Sequence, residues 1–264
     1  MNSWIAAFGE LGRTATRWFD GWWRIVHLAA LLLALALSPA TYGPANRSAM
    51  ARQVYLGTAP HLLWFTALST LISLVLIRIV VVTALSYGLS QYALEMVVRV
   101  LVLELIPLTA ALFVALRCTI PNAADIAALR SGGGFDVLRL EGVDPLRREV
   151  LPRVTAGVFS MLMLAAVSCV VTLVLAYLSV YGFTVGGFAG YTRTVGRVFN
   201  PAVTLIFTLK IAFFGMAVSL IPVASVLYDR PHARSRTSAE LQGLVRMFLV
   251  IALIEGVSLV GNYY

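Results

Sequence analysis

Five near-continuous apolar stretches, running roughly over 62–87, 96–120, 154–181, 202–227 and 244–260, constrain this 264-residue chain more than any motif in it. A helix needs about 17–25 such residues to cross a hydrocarbon core about 30 Å thick. Every backbone polar group must then be satisfied within the segment, so the spans read as helices. Composition agrees. Apolar residues make up 60% of the chain and charged ones 12%, against about 45–50% and about 25% in soluble domains. Mean hydropathy is +0.88. A soluble enzyme, a disordered tail and a disulfide-rich secreted module are excluded. The expected fold is an all-α integral membrane protein.

Ahead of the first span, an apolar run over 25–37 is only thirteen residues long before Ser38 and Pro39. Trp4, Phe8, Trp18, Phe19, Trp22 and Trp23 lie around it, interleaved with Arg13, Arg17 and Arg24. Aromatic rings and snorkelling arginines favour the headgroup level, so the segment reads as an N-terminal interfacial helix. A signal peptide is the rival, because 28–37 resembles an h-region; the Trp-rich upstream part with Glu10 and Asp20 argues against it. Sidedness follows from the basic residues. With the N-terminus inside, fourteen arginines fall on one side, and Arg193 and Arg197 alone on the other. The positive-inside bias therefore predicts a cytoplasmic N-terminus and, after five spans, a C-terminus outside.

The largest cytoplasmic connection covers about 121–153. It starts helix-like over 123–130, breaks at Gly132, Gly133 and Gly134, and resumes from Phe135 to Leu140. Gly142 can end that helix, while Asp144 and Pro145 can cap and open the next. On the outer side, residues 186–190 read as a flexible glycine-rich loop. Lys210, the only lysine, lies between Leu209 and Ile211, so no Gly-Lys-[Ser/Thr] phosphate loop exists and ATP-driven work falls to a partner. His27, His61 and His232 sit on separate elements without acidic ligand spacing, and no nucleophile–base pair accompanies them, which argues against an enzyme. Cys118 and Cys169 read as small buried hydrophobes rather than metal or disulfide partners. The formal charge of +8 comes without a basic cluster beside aromatics on a soluble segment, so nucleic acid is not expected as a ligand.

Arg78, Glu95, Arg99, Glu104, Lys210, Arg246 and Glu255 fall within or at the edges of the spans. A charge at mid-membrane costs at least about 2.5–3.5 kcal/mol, so such residues face a partner, a cavity or water. Glu95 and Arg99 have the i,i+4 spacing of a helix-surface pair. Glu104 lies near the middle of the second span, three residues before Pro107, which can bend the helix. It reads either as a cavity residue or as the partner of Lys210 in the fourth span. Glu255 carries the same ambiguity, and Arg78 points to a cavity or subunit contact. With few such acids and no inverted repeat, one part of a multi-subunit device is favoured over a self-contained carrier.

The run 123–130 (AADIAALR), continued through Asp136 to 142–147 (GVDPLR) and Pro152-Arg153, resembles the MlaE/YrbE permeases, the membrane subunits of ABC transporters serving MCE-type lipid systems. Residues 52–55 (RQVY) also look like that family's pre-span signature, and 103–107 (LELIP) like its Arg-Glu-Leu-Gly-Pro segment. Lys210, Phe213 and Phe214 resemble its fourth-span residues. The resemblance implies one permease domain over 1–264, with an interfacial segment over 1–50 and a coupling connection over 121–153. It also implies a homodimer, or a heterodimer with a related permease, in the bacterial inner membrane, with the C-terminus periplasmic. The implied partners are a cytoplasmic ATPase holding ATP and magnesium, a periplasmic MCE protein and a STAS-domain protein. The cargo would be phospholipid or another hydrophobic molecule, with no cofactor in this chain. Glu104, Leu103, Ile106, Pro107, Arg78 and Lys210 would line the lipid cavity. Asp125, Leu129, Arg130, Phe135, Asp136 and Leu140 would couple to the ATPase. Departures stand at Leu103 (Arg in the family), Ile106 (Gly), Gly133-Gly134 (a Glu-Gln pair) and 229–234, which replaces a glycine-rich feature. They predict a looser coupling element and suit one member of an unequal pair, or a scaffold that anchors the MCE protein.

Overall fold

A computed structural model describes residues 2–228 and 236–263, with the side chains of 2–19, 40, 44–45, 90–91, 236–240 and 263 left aside. The chain departure at 229–234 and His232 lie outside the described residues. Among the described residues the protein is helical and contains no strand. In chain order the helices are α1 (Asn2–Leu37), α2 (Pro44–Ser86), α3 (Ser90–Val97), α4 (Ile106–Val114), α5 (Ile120–Ser131), α6 (Gly134–Leu140), α7 (Leu151–Tyr181), α8 (Phe188–Val198), α9 (Pro201–Tyr228) and α10 (Arg236–Tyr263). Each of the five expected spans is present: α2, the continuous path α3–α4–α5, α7, α9 and α10. A sixth stretch, Asp20–Leu37 within α1, is also long and apolar enough to cross a bilayer. It buries Ile25, Leu28 and Leu32 in the core and packs chiefly on α9.

The second span is a chain of α-segments joined by π-helical stretches, and proline marks each junction. Pro107 and Pro121 are second residues of α4 and α5, directly after π stretches at Val98–Leu105 and Ala115–Thr119. Pro152 follows a third at Leu146–Val150, where α7 begins. A proline ring clashes with the carbonyl four residues earlier and offers it no N–H. Widening the preceding turn relieves the clash. Pro60 and Pro222, inside α2 and α9, are flanked by ordinary α-helix.

α7 is the central helix, packed against α2 and α9, with α10 on the other side of α9. Lipid tails are as apolar as leucine, so small side chains and hydrogen bonds set these contacts. Between the parallel α2 and α7, the Thr58 and Ser160 hydroxyls meet at 2.8 Å and those of Ser73 and Thr172 at 2.9 Å. Two apolar clusters fill the interior. One centres on Leu28, Ile126, Met161 and Phe214, the other on Ile77, Val97, Leu101, Leu103 and Ile106.

The helix order defines two ends of the bundle. One carries the 132–145 connection (the connection face), the other residues 182–200 (the far face). The connection is helix, turn, helix as expected. Gly133 takes a left-handed φ of 75° between α5 and α6, Gly142 another of 74°, and the Asp144 carboxylate accepts the Leu146 N–H at 3.0 Å. The far face differs from expectation. Only Val185–Gly187 forms a tight turn, and α8 starts within the stretch read as flexible. Aromatic packing is the reason. Tyr177, Tyr181, Phe188 and Tyr191 cluster, with the Tyr191 hydroxyl donating to the Leu173 carbonyl at 2.9 Å. Gly187 lies so close to the Tyr181 ring that a Cβ would collide with it.

Candidate functional site

Pro107 sets up the site. It cannot give the Leu103 carbonyl its α-helical hydrogen bond, and Lys210 of α9 donates to that oxygen instead, at 3.1 Å. The same ammonium pairs with Glu104 Oε2 and approaches Glu255 Oε2 of α10 at 2.8 Å. Asn262 completes the group, its Nδ2 donating to Glu104 Oε1 at 3.1 Å and reaching Ser258 Oγ at 3.5 Å. Lys210 Nζ also stands 5.9 Å from the Phe214 ring centroid, within cation–π range.

This node ties the second, fourth and fifth spans together. The Lys210 side chain is 1% exposed, those of Glu104 and Glu255 12% and 16%. Lys210 lies nine residues into α9 from Pro201 and Glu255 eight before Tyr263. At 1.5 Å per residue, both sit roughly 12–14 Å from the far-face ends of their helices. A lone charge there would be costly, and pairing offsets much of that cost.

The structure thus brings together Glu104, Lys210 and Pro107 from the predicted cavity set and adds Glu255 to them. Leu103 and Ile106 are both 1% exposed and pack in the interior behind the node; only the Leu103 carbonyl takes part. Arg78 is exposed on the outer surface of α2, away from the node's contacts. Glu95 and Arg99 form the i,i+4 pair at 3.0 Å. Phe214 stands beside Lys210 as the fourth-span resemblance implied; Asn262 and Ser258 were not foreseen, although 255, 258 and 262 have the helical spacing that puts them on one face.

The coupling set divides by burial. Phe135 is buried in the core and Leu129 half-buried, whereas Asp125, Asp136 and Leu140 are exposed. Asp136 pairs with Arg139 at 3.4 Å. Arg130, in the last turn of α5, donates from Nη1 to the Val226 carbonyl at 3.0 Å, and Arg24 of α1 donates to that of Tyr228 at 3.1 Å. Two arginines thereby hold the carbonyl end of α9, where a helix carries partial negative charge. An apolar groove of about 930 Å³ runs along α2 past Leu62, Leu63, Thr66, Thr70 and Leu71 to Val167 of α7. Among the described residues, no group of three or more His, Cys, Asp or Glu could hold a metal ion.

The model of the family described as Permease MlaE matches residues 50–260. Proteins from Rickettsia felis and Rickettsia prowazekii, each named a probable ABC transporter permease protein, are 28% identical to the chain over 172 residues. A similarly named Rickettsia conorii protein is 27% identical over the same length. Each match takes in 63% of this chain and 66% of the relative, just under two thirds of the relatives' length.

Proposed function

Because the chain belongs to the MlaE permease family, we propose that it is the membrane subunit of an ABC transporter that moves phospholipid, or another hydrophobic molecule, between the bacterial inner membrane and a periplasmic MCE protein. The observation that carries this reading is the Glu104–Lys210–Glu255 node. It is a polar anchor inside an apolar bundle, two turns or more inside α9 and α10, with the Glu104 and Glu255 side chains largely buried. An amphipathic cargo needs such a combination of polar seat and apolar surroundings. Glu104, Lys210 and Pro107 form the seat, Leu103 and Ile106 stiffen it from behind, and Arg78 serves a contact with a second permease chain, identical or related.

Driving force comes from a cytoplasmic ATPase that binds ATP and magnesium, with a STAS-domain protein as a further partner; this chain performs no chemistry itself. The exposed Asp125, Asp136 and Leu140 meet that ATPase, while Phe135 and Arg130 pass its motion into the bundle. The connection face and the N-terminus are then cytoplasmic, and the far face and C-terminus periplasmic. A second reading, a scaffold that anchors the MCE protein while a related chain couples, is supported by Gly133, whose left-handed turn splits the coupling connection in two.

Purification of the tagged chain from native membranes in mild detergent, followed by mass spectrometry, tests the proposal. An ATPase, an MCE protein and phospholipid are expected together. A complex whose ATPase is unaffected by this chain supports the scaffold. Recovery of the chain without any nucleotide-binding subunit overturns both.

A further inference from the structure

A second polar spot lies in the seam between α2 and the second span, away from the node. Cys118 donates from Sγ to the Gly57 carbonyl at 3.3 Å and pins the two elements together. One turn along α2, the His61 ring stands nearly perpendicular to that of Phe113, with centroids 6.2 Å apart. Arg117 is the neighbour of Cys118 and lies one turn from Phe113, so its guanidinium acts across the seam on the His61 imidazole. Depth follows from spacing. Along α2, His61 and Arg78 bracket sixteen uncharged residues, a separation of about 26 Å at the helical rise. In the second span, Arg99 and Arg117 are eighteen residues apart. Both intervals approach the thickness of a hydrocarbon core, about 30 Å. His61 and Arg117 therefore stand at headgroup level on the side of the connection face.

Arg117 is exposed and His61 half-buried, and among the described residues neither is hydrogen-bonded or ion-paired. The His61 ring nitrogens reach the surface. A guanidinium takes phosphate oxygens through paired N–H groups, and a neutral imidazole adds one N–H donor. A headgroup ammonium finds no partner here. Along the chain, Asp125 is eight residues further on, and Glu104 is thirteen residues back and bound to Lys210. Beside the pair, Trp64, Leu68 and Leu116 are 75%, 52% and 60% exposed. Trp64 and Leu68 follow His61 by three and seven residues, on one helix face, and offer an acyl chain a surface running toward mid-bilayer. We propose that Arg117 and His61 clasp the phosphate of an anionic phospholipid in the leaflet on the connection-face side. The clasp is independent of the cargo reading, since it shares no residue with the Glu104–Lys210–Glu255 node.

For the test, the protein is purified from native membranes in mild detergent with the subunits that stay with it, and stripped of lipid. It is then titrated with phosphatidylglycerol or phosphatidylcholine under native mass spectrometry. Phosphatidylglycerol is expected to bind about tenfold tighter, the worth of one charge-assisted hydrogen bond. Arg117→Gln is expected to erase that preference, and His61→Leu to weaken phosphatidylglycerol binding severalfold. A phosphatidylglycerol carrying a photoreactive group near the ester end of its acyl chain is expected to label wild-type peptides containing Trp64 or Leu116. That labelling keeps the inference testable if a variant does not assemble. Excess inorganic phosphate is expected to leave the labelling in place. Equal binding of the two lipids, a preference unchanged in both variants, or labelling confined to other spans overturns the inference. Loss of the labelling to inorganic phosphate gives the site to a soluble phosphate compound and overturns the lipid assignment.

Discussion

Lys210 is the residue on which most of the interior polarity depends. One ammonium serves a backbone carbonyl freed by Pro107 and two carboxylates on different spans. Removing one partner from a buried ion pair costs about 3–5 kcal/mol, because the other charge is left without compensation. Lys210→Met is therefore expected to lower the thermal midpoint of the detergent-solubilised protein sharply. Lys210→Met combined with Glu104→Gln should recover part of the loss, since it leaves one fewer orphaned carboxylate. A single variant as stable as wild type would contradict this account. The Glu104–Lys210 pairing was one of two open readings in the sequence, where two opposite charges stood near the middle of apolar spans. The Leu103 carbonyl was not legible, because residue spacing does not reveal which backbone oxygen a proline strips of its donor. Nor was the role of Asn262. An amide near the end of a span reads equally well as a headgroup-level residue.

At the scale of elements, the π stretches and the arginine clamp decide how motion at the connection face travels. Arg130 links the end of α5 to the end of α9, and Lys210 lies nine residues in from the other end of α9. A rigid helix held at two points along its length transmits displacement along its axis. Arg130→Gln is expected to raise hydrogen exchange about tenfold in the last turn of α9 and to weaken ATPase stimulation by lipid, with lipid retention preserved. Unchanged exchange in that turn would remove the clamp from the explanation. Helix existence was well read from apolar length, and the Gly132–Gly134 break and the Asp144–Pro145 cap from local chemistry. α8 escaped notice for a physical reason. Its glycines signal a loop, while its Phe188 and Tyr191 rings pack against Tyr177, which lies on another helix.

For the whole molecule, arginine distribution and helix order agree on two unlike ends. The 182–200 segment carries Arg193 and Arg197 and no acidic residue, and most of the other arginines were counted on the opposite side. Cysteines introduced one at a time at Thr192 and Ser131, both exposed, provide a test, because native Cys118 and Cys169 are buried. A membrane-impermeant thiol reagent applied to intact spheroplasts is expected to label the Thr192→Cys protein and spare Ser131→Cys until the membrane is opened. The reverse pattern would invert the topology. The five long spans were legible because apolar length marks them, although the Asp20–Leu37 stretch, read as interfacial, is also long enough to cross. Which spans touch was not, since a uniformly apolar surface carries no pairing code until small residues such as Gly57 and Ser160 are seen to meet.

The node also bears on the order of synthesis. Glu104 precedes Lys210 in the chain by 106 residues, and Glu255 follows it by 45. As the ribosome feeds the spans outward, the fourth arrives with a charge whose first counter-ion already waits in the bilayer. The last span then brings its carboxylate to an ammonium already in place. Each costly side chain after the first thus enters the lipid with a predecessor to receive it.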